Sequence, residues 1–379
     1  MSLSHYKTSL LLLQPTPFCN LDCSYCYLPG RDQHFRMALD IPALALKLLQ
    51  DAGCLGQQLD IAWHAGEPLV LPVEYYGQAF DGLEAARPAG LSLRHHFQTN
   101  ATLISDEFCR FVKAREVSIG VSLDGPEEIH DGNRPTRAGH GTHKMVMQGI
   151  KKLQTHEIPF SIITVLTMAT LEKPDILFDF FATNGIHRVC FNLEELVGAN
   201  RQTSLDKGNT PNAVRRFFSR YCELLRSSPN QQWVREIDGR LALLFDGATS
   251  EAKQNHPLGI VSVNWKGEFS TFSPELLGID NPRFGNFLFG SVTANRIDDL
   301  WENEKFCRVN AEIQEGVAAC QRTCDYFRVC GGGAPAKKLA GNGTFASTET
   351  LSCQLGIKVV TDVLLNQIEM ATGVSRPQS

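Results

Sequence analysis

Twelve cysteines stand in this chain of 379 residues, and three crowd one short run, Cys19-Asn-Leu-Asp-Cys23-Ser-Tyr-Cys26. The spacing is C-x3-C-x2-C, with Tyr25 directly before the last cysteine. Three thiolates so placed suit three irons of a [4Fe–4S] cluster, which takes four ligands, and they leave the fourth iron open. Zinc sites favour paired knuckles with all four ligands from protein. Disulfide frameworks belong to small secreted domains, and no signal peptide opens this chain. A second set, Cys320, Cys324, Cys330 and Cys353, offers four thiolates, enough to ligate one [4Fe–4S] cluster fully. Zinc is the alternative there, since four-cysteine zinc sites use similar spacings. Cys307 is either a spare thiol or an alternative ligand. Cys54, Cys109, Cys190 and Cys222 lie among apolar neighbours and read as core packing.

The elements that must position these thiols follow from periodicity. Strands are expected at Leu10–Gln14, Leu59–His64, Leu91–Gln98, Val117–Leu123, Pro159–Leu166 and Arg188–Asn192. Helices are expected at Ile41–Gly53, Val73–Ala86, Asp106–Arg115, Lys144–His156, Pro174–Thr183 and Asn212–Ser228. Strands alternating with helices argue for βα units and a parallel sheet. The count favours an open partial (β/α)6 barrel over a closed eight-stranded one. The first cysteine run then follows strand one, at the carboxyl ends of the strands, where such sheets place ligands. After a helical connection over 230–258 the pattern changes. Ile260 to Phe272 reads as a hairpin turning at Lys266-Gly267, followed by loops, the second cysteine set and a last helix from Leu355 to Thr372. The division expected is 1–235 for the core and 236–379 for a linker and tail, whose thin core a metal cluster would stabilise.

Hydrophobic content of 43% and charged content of 20% describe an ordinary globular chain. A net charge of −5 gives no reason to expect nucleic acid. No apolar run has the length of a membrane span. Clustered thiols without a secretion signal point to metal in a reducing, cytoplasmic setting.

Strand ends carry further chemistry. His64-Ala65-Gly66-Glu67-Pro68 closes strand two, Phe97-Gln98-Thr99-Asn100 strand three, and Ser122-Leu123-Asp124-Gly125 strand four, with Arg134 soon after. Together with the cysteine run, in this order, these motifs resemble the radical SAM enzymes. The resemblance implies that the open iron binds S-adenosylmethionine (SAM). Gly66, Glu67 and Pro68 would meet its amino group, since small residues admit the backbone and a carboxylate accepts from an ammonium. Gln98, Asn100 and Ser122 would supply polar contacts, and Val165 would pack near the adenine. Tyr25 would stand beside the cluster. Arg134 would hold the SAM carboxylate in its fork. His64 and Ala65 depart from the glycines common in the second motif.

The tail resembles the SPASM extension of peptide-modifying radical SAM enzymes, which binds auxiliary iron–sulfur clusters. A typical SPASM tail has more cysteines and two clusters. Here Phe272-Ser273-Pro274 stands where a cysteine often follows the hairpin, so one auxiliary cluster is expected. Across most of the chain, Trp63-His-Ala-Gly-Glu-Pro, Ser273-Pro-Glu-Leu-Leu-Gly and Cys330-Gly-Gly-Gly look like the cyclophane-forming, GrrM-like peptide maturases. That implies a carbon–carbon crosslink between an aromatic ring and the β-carbon of a nearby residue in a ribosomally made precursor peptide. It also implies an electron donor such as flavodoxin or ferredoxin. Glu275 is the candidate base, with His64 and Asp124 as further options, while Asp325 beside the tail cysteines reads as either a supporting or a surface group. About eight residues precede strand one, so leader recognition is expected from the core, the tail or a separate protein. The alternative within the same architecture is an anaerobic sulfatase maturase making formylglycine. It normally has the full two-cluster tail, which the residues around Phe272 do not match. From another class, the alternative for the chain is a cysteine-rich zinc-binding scaffold with no catalysis.

Overall fold

Leu10–Leu13 is four leucines, and a strand apolar on both faces belongs inside a parallel sheet. The computed structural model describes residues 6–229, 232–247, 249–294 and 296–373. In it this segment is β1, an interior strand of the sheet. The next five strands are β2 Gln58–Trp63, β3 Ser92–Thr99, β4 Ser118–Ser122, β5 Phe160–Leu166 and β6 Arg188–Leu193. They lie side by side in that order, each parallel to the last. All six expected strands therefore occur, and their ends move by only a residue or two. The expected helices occur as well, for example Val73–Ala86 and Pro174–Thr183. Ser105 caps one of them by accepting from the Phe108 N–H at 3.0 Å.

The sheet does not stop at six strands. β7, Trp233–Val234, adds to β6. The expected hairpin forms as β8 Ile260–Val263 and β9 Glu268–Thr271, and β8 pairs parallel to β1, Leu11 opposite Val261. The expected division after residue 235 falls one residue into the Arg235–Asp246 helix, just past β7. Sheet hydrogen bonding nevertheless crosses it, because β8 returns to β1. Sequence spacing cannot show that return, which joins residues 250 apart: the Ser9 hydroxyl donates to the Gly259 carbonyl at 3.0 Å.

One face of the sheet is packed under helices around Trp63, Tyr76, Phe80 and Phe97, all buried. The other face alternates with it and is partly open: Ala62, Gln98, Gly120, Ser122, Val165 and Asn192. In the tail, Glu304–Thr323 is a long helix and Pro335–Asn342 a shorter one. The expected last helix enters through a wide π turn, Gln354–Val359, before Val360–Thr372. No helix among the described residues is long and apolar enough to cross a membrane.

Candidate active site at the strand ends

The first cysteine run leaves β1 and is held down by backbone bonds. The Glu67 N–H donates to the Phe18 carbonyl at 2.8 Å, Ser24 N–H to Asn133 at 3.0 Å, and Asp22 N–H to Pro135 at 2.9 Å. The run thus spans from the end of β2 to the segment after β4. Gly66 makes the first clip feasible. Its φ is +104°, and a Cβ there would lie 2.2 Å from the Thr16 carbonyl oxygen. Ala65, where glycine is common, adopts φ +72° and packs with Leu12 and Leu28. An alanine in that region is strained.

Cys19, Cys23 and Cys26 are free, half-buried thiols. Burial, then the nearby Glu67, pushes the Cys19 thiol up to about 12. Cys23 is raised by burial, against which the Arg134 charge works. Among the described residues no three His, Cys, Asp or Glu side chains meet as they would around one metal ion. A [4Fe–4S] cluster asks for something else, one thiolate per iron, and three free thiols on one pinned loop fit that donor set.

Glu67 is buried and well satisfied. One carboxylate oxygen accepts from the Leu69 N–H at 3.0 Å and the Thr99 hydroxyl at 2.6 Å, the other from the Asn100 N–H at 2.7 Å. The carboxylate thus ties β2 to β3, and burial outweighs these donors to raise its pKa to about 7. The expected ammonium contact has only the free lone pair beside the Asn100 bond to use. Pro68 starts a short turn whose carbonyl accepts from Tyr76 at 2.7 Å. The Asn100 amide donates to Asn20 at 2.8 Å and lies 3.9 Å from the Cys19 sulfur, so it braces the loop. Gln98 and Ser122 stay on the open face, joined by a 3.0 Å bond, with Gly120 leaving room for the Gln98 side chain.

Arg134 has a different partner from the expected one. Its fork is closed on Asp124, Nε to Oδ2 and Nη2 to Oδ1, each at 3.0 Å. Nε and Nη2 are therefore spent on Asp124 in this structure. Asp124 also accepts from the Tyr25 hydroxyl and from the Val165 N–H at 3.0 Å. Three expected site residues, Tyr25, Arg134 and Val165, thus meet at a buried carboxylate that sequence reasoning had considered only as a base. With its oxygens so occupied, Asp124 is an organiser. The signal available was the pair itself, an Asp and an Arg flanking one short connection.

A second group lies beside Cys26. The Tyr27 hydroxyl is 3.2 Å from His64 Nε2, while His64 Nδ1 is buried without a partner. Burial alone lowers the His64 pKa to about 4. The Tyr27 phenol is raised by burial and then by the Glu275 charge, which puts Glu275 next to it. One Glu275 carboxylate oxygen is buried with no hydrogen-bond partner. Burial raises its pKa, and Lys337 draws it back. Lys337 in turn donates to Glu195 at 2.6 Å. Asp325 is exposed, a surface group.

The four tail cysteines line one cavity of about 530 Å³, which also reaches Leu166 and Asn192 at the ends of β5 and β6. Cys330 and Cys353 touch; their contact, with the Gly332 and Gly333 N–H groups, holds the Cys330 thiol low and drives Cys353 up. Cys307 stands apart, packed in the core and bonded to the Trp301 carbonyl at 3.3 Å. Phe272 is fully buried, stacked on Phe306 with centroids 5.9 Å apart.

A profile of the radical SAM superfamily matches residues 13–181. An uncharacterized protein of Synechocystis sp. is 39% identical over 373 residues, 97% of this chain and 94% of its own. The chain belongs to the radical SAM superfamily. Membership implies a [4Fe–4S] cluster and SAM, and the free thiols on the β1 loop suit that cluster. A serine-type anaerobic sulfatase-maturating enzyme of Bacteroides thetaiotaomicron is 23% identical, covering 85% of this chain and 81% of its own. Among solved structures, native anSMEcpe with bound AdoMet and Cp18Cys peptide superposes with a TM-score of 0.79 at 20% identity, over 97% of this chain and all of that one. Streptococcus suis SuiB bound to precursor peptide SuiA gives 0.61 at 15% identity, over 91% and 76%. Both likenesses show the fold of this chain, and each of the two neighbours holds a bound peptide.

Proposed function

We propose that this radical SAM enzyme matures a ribosomally made peptide by joining an aromatic ring carbon to the β-carbon of a nearby residue. The observation that carries the reading is the cavity from the ends of β5 and β6 to Cys320, Cys324, Cys330 and Cys353, with Glu275 against its Lys337 wall. Forming that bond removes two hydrogens from the peptide: one as an atom, the other as a proton and an electron. The cluster and SAM, held at Cys19, Cys23 and Cys26 and fed by a flavodoxin or ferredoxin, supply the hydrogen-atom acceptor. Gly66, Glu67, Pro68, Gln98, Asn100, Ser122 and Val165 shape the pocket that orients SAM, with Tyr25 and Arg134 fixing its floor through Asp124. Glu275 takes the proton on its unpartnered oxygen. The four tail thiolates hold one auxiliary [4Fe–4S] cluster as the electron's destination. Residues 236–379 then form the linker and the SPASM-like tail.

A second reading is formylglycine formation, favoured by relatives named sulfatase-maturating enzymes at 23% identity across most of both chains. Against it stands the set of four tail cysteines lining one cavity, with Phe272 filling core where a further ligand would be needed. Both chemistries on a serine remove two hydrogens, so mass alone does not separate them. Co-expression with a glycine-rich precursor containing aromatics, followed by hydrazide labelling and tandem mass spectrometry, does. The crosslink gives no hydrazone and no backbone fragments between the joined residues. A hydrazone would replace this reading with the second.

A further inference from the structure

The cavity that holds the tail cysteines has an uneven charge. Its four wall carboxylates, Glu195, Glu236, Glu251 and Glu349, each have a basic partner in an ion pair. Two wall cations, Lys338 and Arg240, have no carboxylate within ion-pair distance among the described residues. Lys338 faces Cys320, and Arg240 lies within electrostatic reach of Cys330 and Cys353.

Lys338 is 4% exposed, and its Nζ lies 3.3 Å from the Cys320 sulfur. A buried ammonium is costly unless an anion faces it. The Glu304–Thr323 helix leaves a notch for it: a Cβ on Gly316 would come within 3.2 Å of Nζ. Arg240 donates to the Ile357 carbonyl at 2.7 Å and to the Thr361 hydroxyl at 2.9 Å, which fixes it beneath the π turn. From there its charge meets that of Glu236 first, and then those of Cys330 and Cys353. Lys358 is also close to Cys324 and Cys353, but it is bonded to Glu349 at 2.9 Å.

We propose that Lys338 and Arg240 set the reduction potential of the auxiliary cluster, with Lys338 donating to the Cys320 sulfur, so that the cluster accepts the substrate's electron. The inference rests on the reading of the tail cysteines as ligands of that cluster. On taking one electron the cluster becomes one charge more negative, and the substrate radical loses that electron together with a proton to Glu275. A nearby buried cation favours the more negative state, and hydrogen bonds to the sulfurs and the surrounding charge are recognised levers on such potentials. The pair thereby makes the tail a better oxidant, a role distinct from that of the thiolates. Lys338 and Arg240 act through the cluster and are positioning residues.

The test uses the full chain with Cys19→Ala, Cys23→Ala and Cys26→Ala, so that only the tail retains ligands. After anaerobic reconstitution it should hold about four irons. Its midpoint is read by a redox titration followed by electron paramagnetic resonance. Lys338→Met should lower the reduced-to-oxidised ratio at the parent midpoint about tenfold, about 59 mV for a one-electron couple. Arg240→Gln should move it in the same sense, and Lys338→Arg, which keeps donor and charge, should stay near the parent. If Lys338→Met loses its iron, Lys338→Gln against Lys338→Arg makes the same comparison, with the glutamine variant lower. An iron-loaded tail whose midpoint ignores these changes overturns the inference alone. A parent tail without iron overturns the auxiliary-cluster reading, and the inference with it.

Discussion

Arg134 and Asp124 form a bidentate pair, two bonds of 3.0 Å, beneath the loop that presents Cys19, Cys23 and Cys26. Both side chains are buried, at 8% and 0% exposure. Removing one partner of such a pair leaves an uncompensated charge and costs about 3–5 kcal/mol. Asp124→Ala should lower the unfolding free energy, read by denaturant titration, by that amount and release the Tyr25 hydroxyl. The reconstituted variant should hold less iron at the first cysteine run than the parent. A variant of unchanged stability would remove the pair from the account.

Gly66→Ala tests the clip between the β2 end and the cysteine loop. The new methyl would lie 2.2 Å from the Thr16 carbonyl and 2.9 Å from that of Phe18, both backbone atoms that cannot swing aside. The variant should bind SAM at least tenfold more weakly, about 1.4 kcal/mol in an equilibrium constant, as read by equilibrium dialysis of the anaerobic protein. Gly77→Ala, on an open helix surface with nothing within 4 Å, is the neutral control.

Most of this framework was legible in the sequence. Apolar runs at β1 to β6 and helical periodicity between them gave the parallel core, because buried parallel strands have little freedom in composition. The cysteine run and Glu67 were legible from residue type. The partners that Arg134 and Asn100 take were not: Arg134 turns to Asp124 across one short connection, and Asn100 to Asn20, 80 residues away in the chain. Arg134 was expected to face a ligand and is closed on Asp124. Asn100 was expected at SAM and is bonded to Asn20. Nothing in the spacing shows that Lys338 reaches Cys320, or that β8 returns to β1.

Proton transfer predicts a split between two products. Glu275→Gln should leave the fold and 5′-deoxyadenosine formation in place while lowering crosslinked peptide by about 10²–10⁴-fold. Because burial raises the Glu275 pKa above the ordinary carboxylate value of 4.5, crosslinking by the parent should rise with pH through a pKa above 4.5. Liquid chromatography of both products across pH gives the comparison. Equal losses of both products would assign Glu275 a structural role.

Three buried histidines predict acid sensitivity. His64, His95 and His130 are lowered from 6.5 to about 4, in each case chiefly by burial. Between those values the unfolded chain binds more protons, so each contributes stability that is present above about pH 6.5 and lost as pH falls toward 4. Glu67 runs the other way: raised from 4.5 to about 7, it favours the folded state below 4.5 and loses that contribution as pH rises through 7. His95 accepts from the Trp63 indole at 3.3 Å and stacks on Phe80. In metal-free protein His95→Gln should shrink the fall in melting temperature between about pH 6.5 and pH 4. An unaltered fall would contradict the neutral buried state of His95.

Cys307 and Cys353 separate packing from ligation. Cys307→Ser should keep the iron content of the parent, since its thiol only meets the Trp301 carbonyl. Cys353→Ser should lose about four irons per chain while the first cluster persists.

The central claim is a carbon–carbon crosslink made in a peptide by this radical SAM site. Its most direct measurement is high-resolution tandem mass spectrometry of a precursor peptide co-expressed with the parent and with Cys23→Ala, after hydrazide treatment. The account predicts a loss of two hydrogens per crosslink, silent fragmentation between an aromatic residue and its partner, no hydrazone, and unmodified peptide with Cys23→Ala. A hydrazone at a single residue, or a crosslink that survives Cys23→Ala, would contradict it.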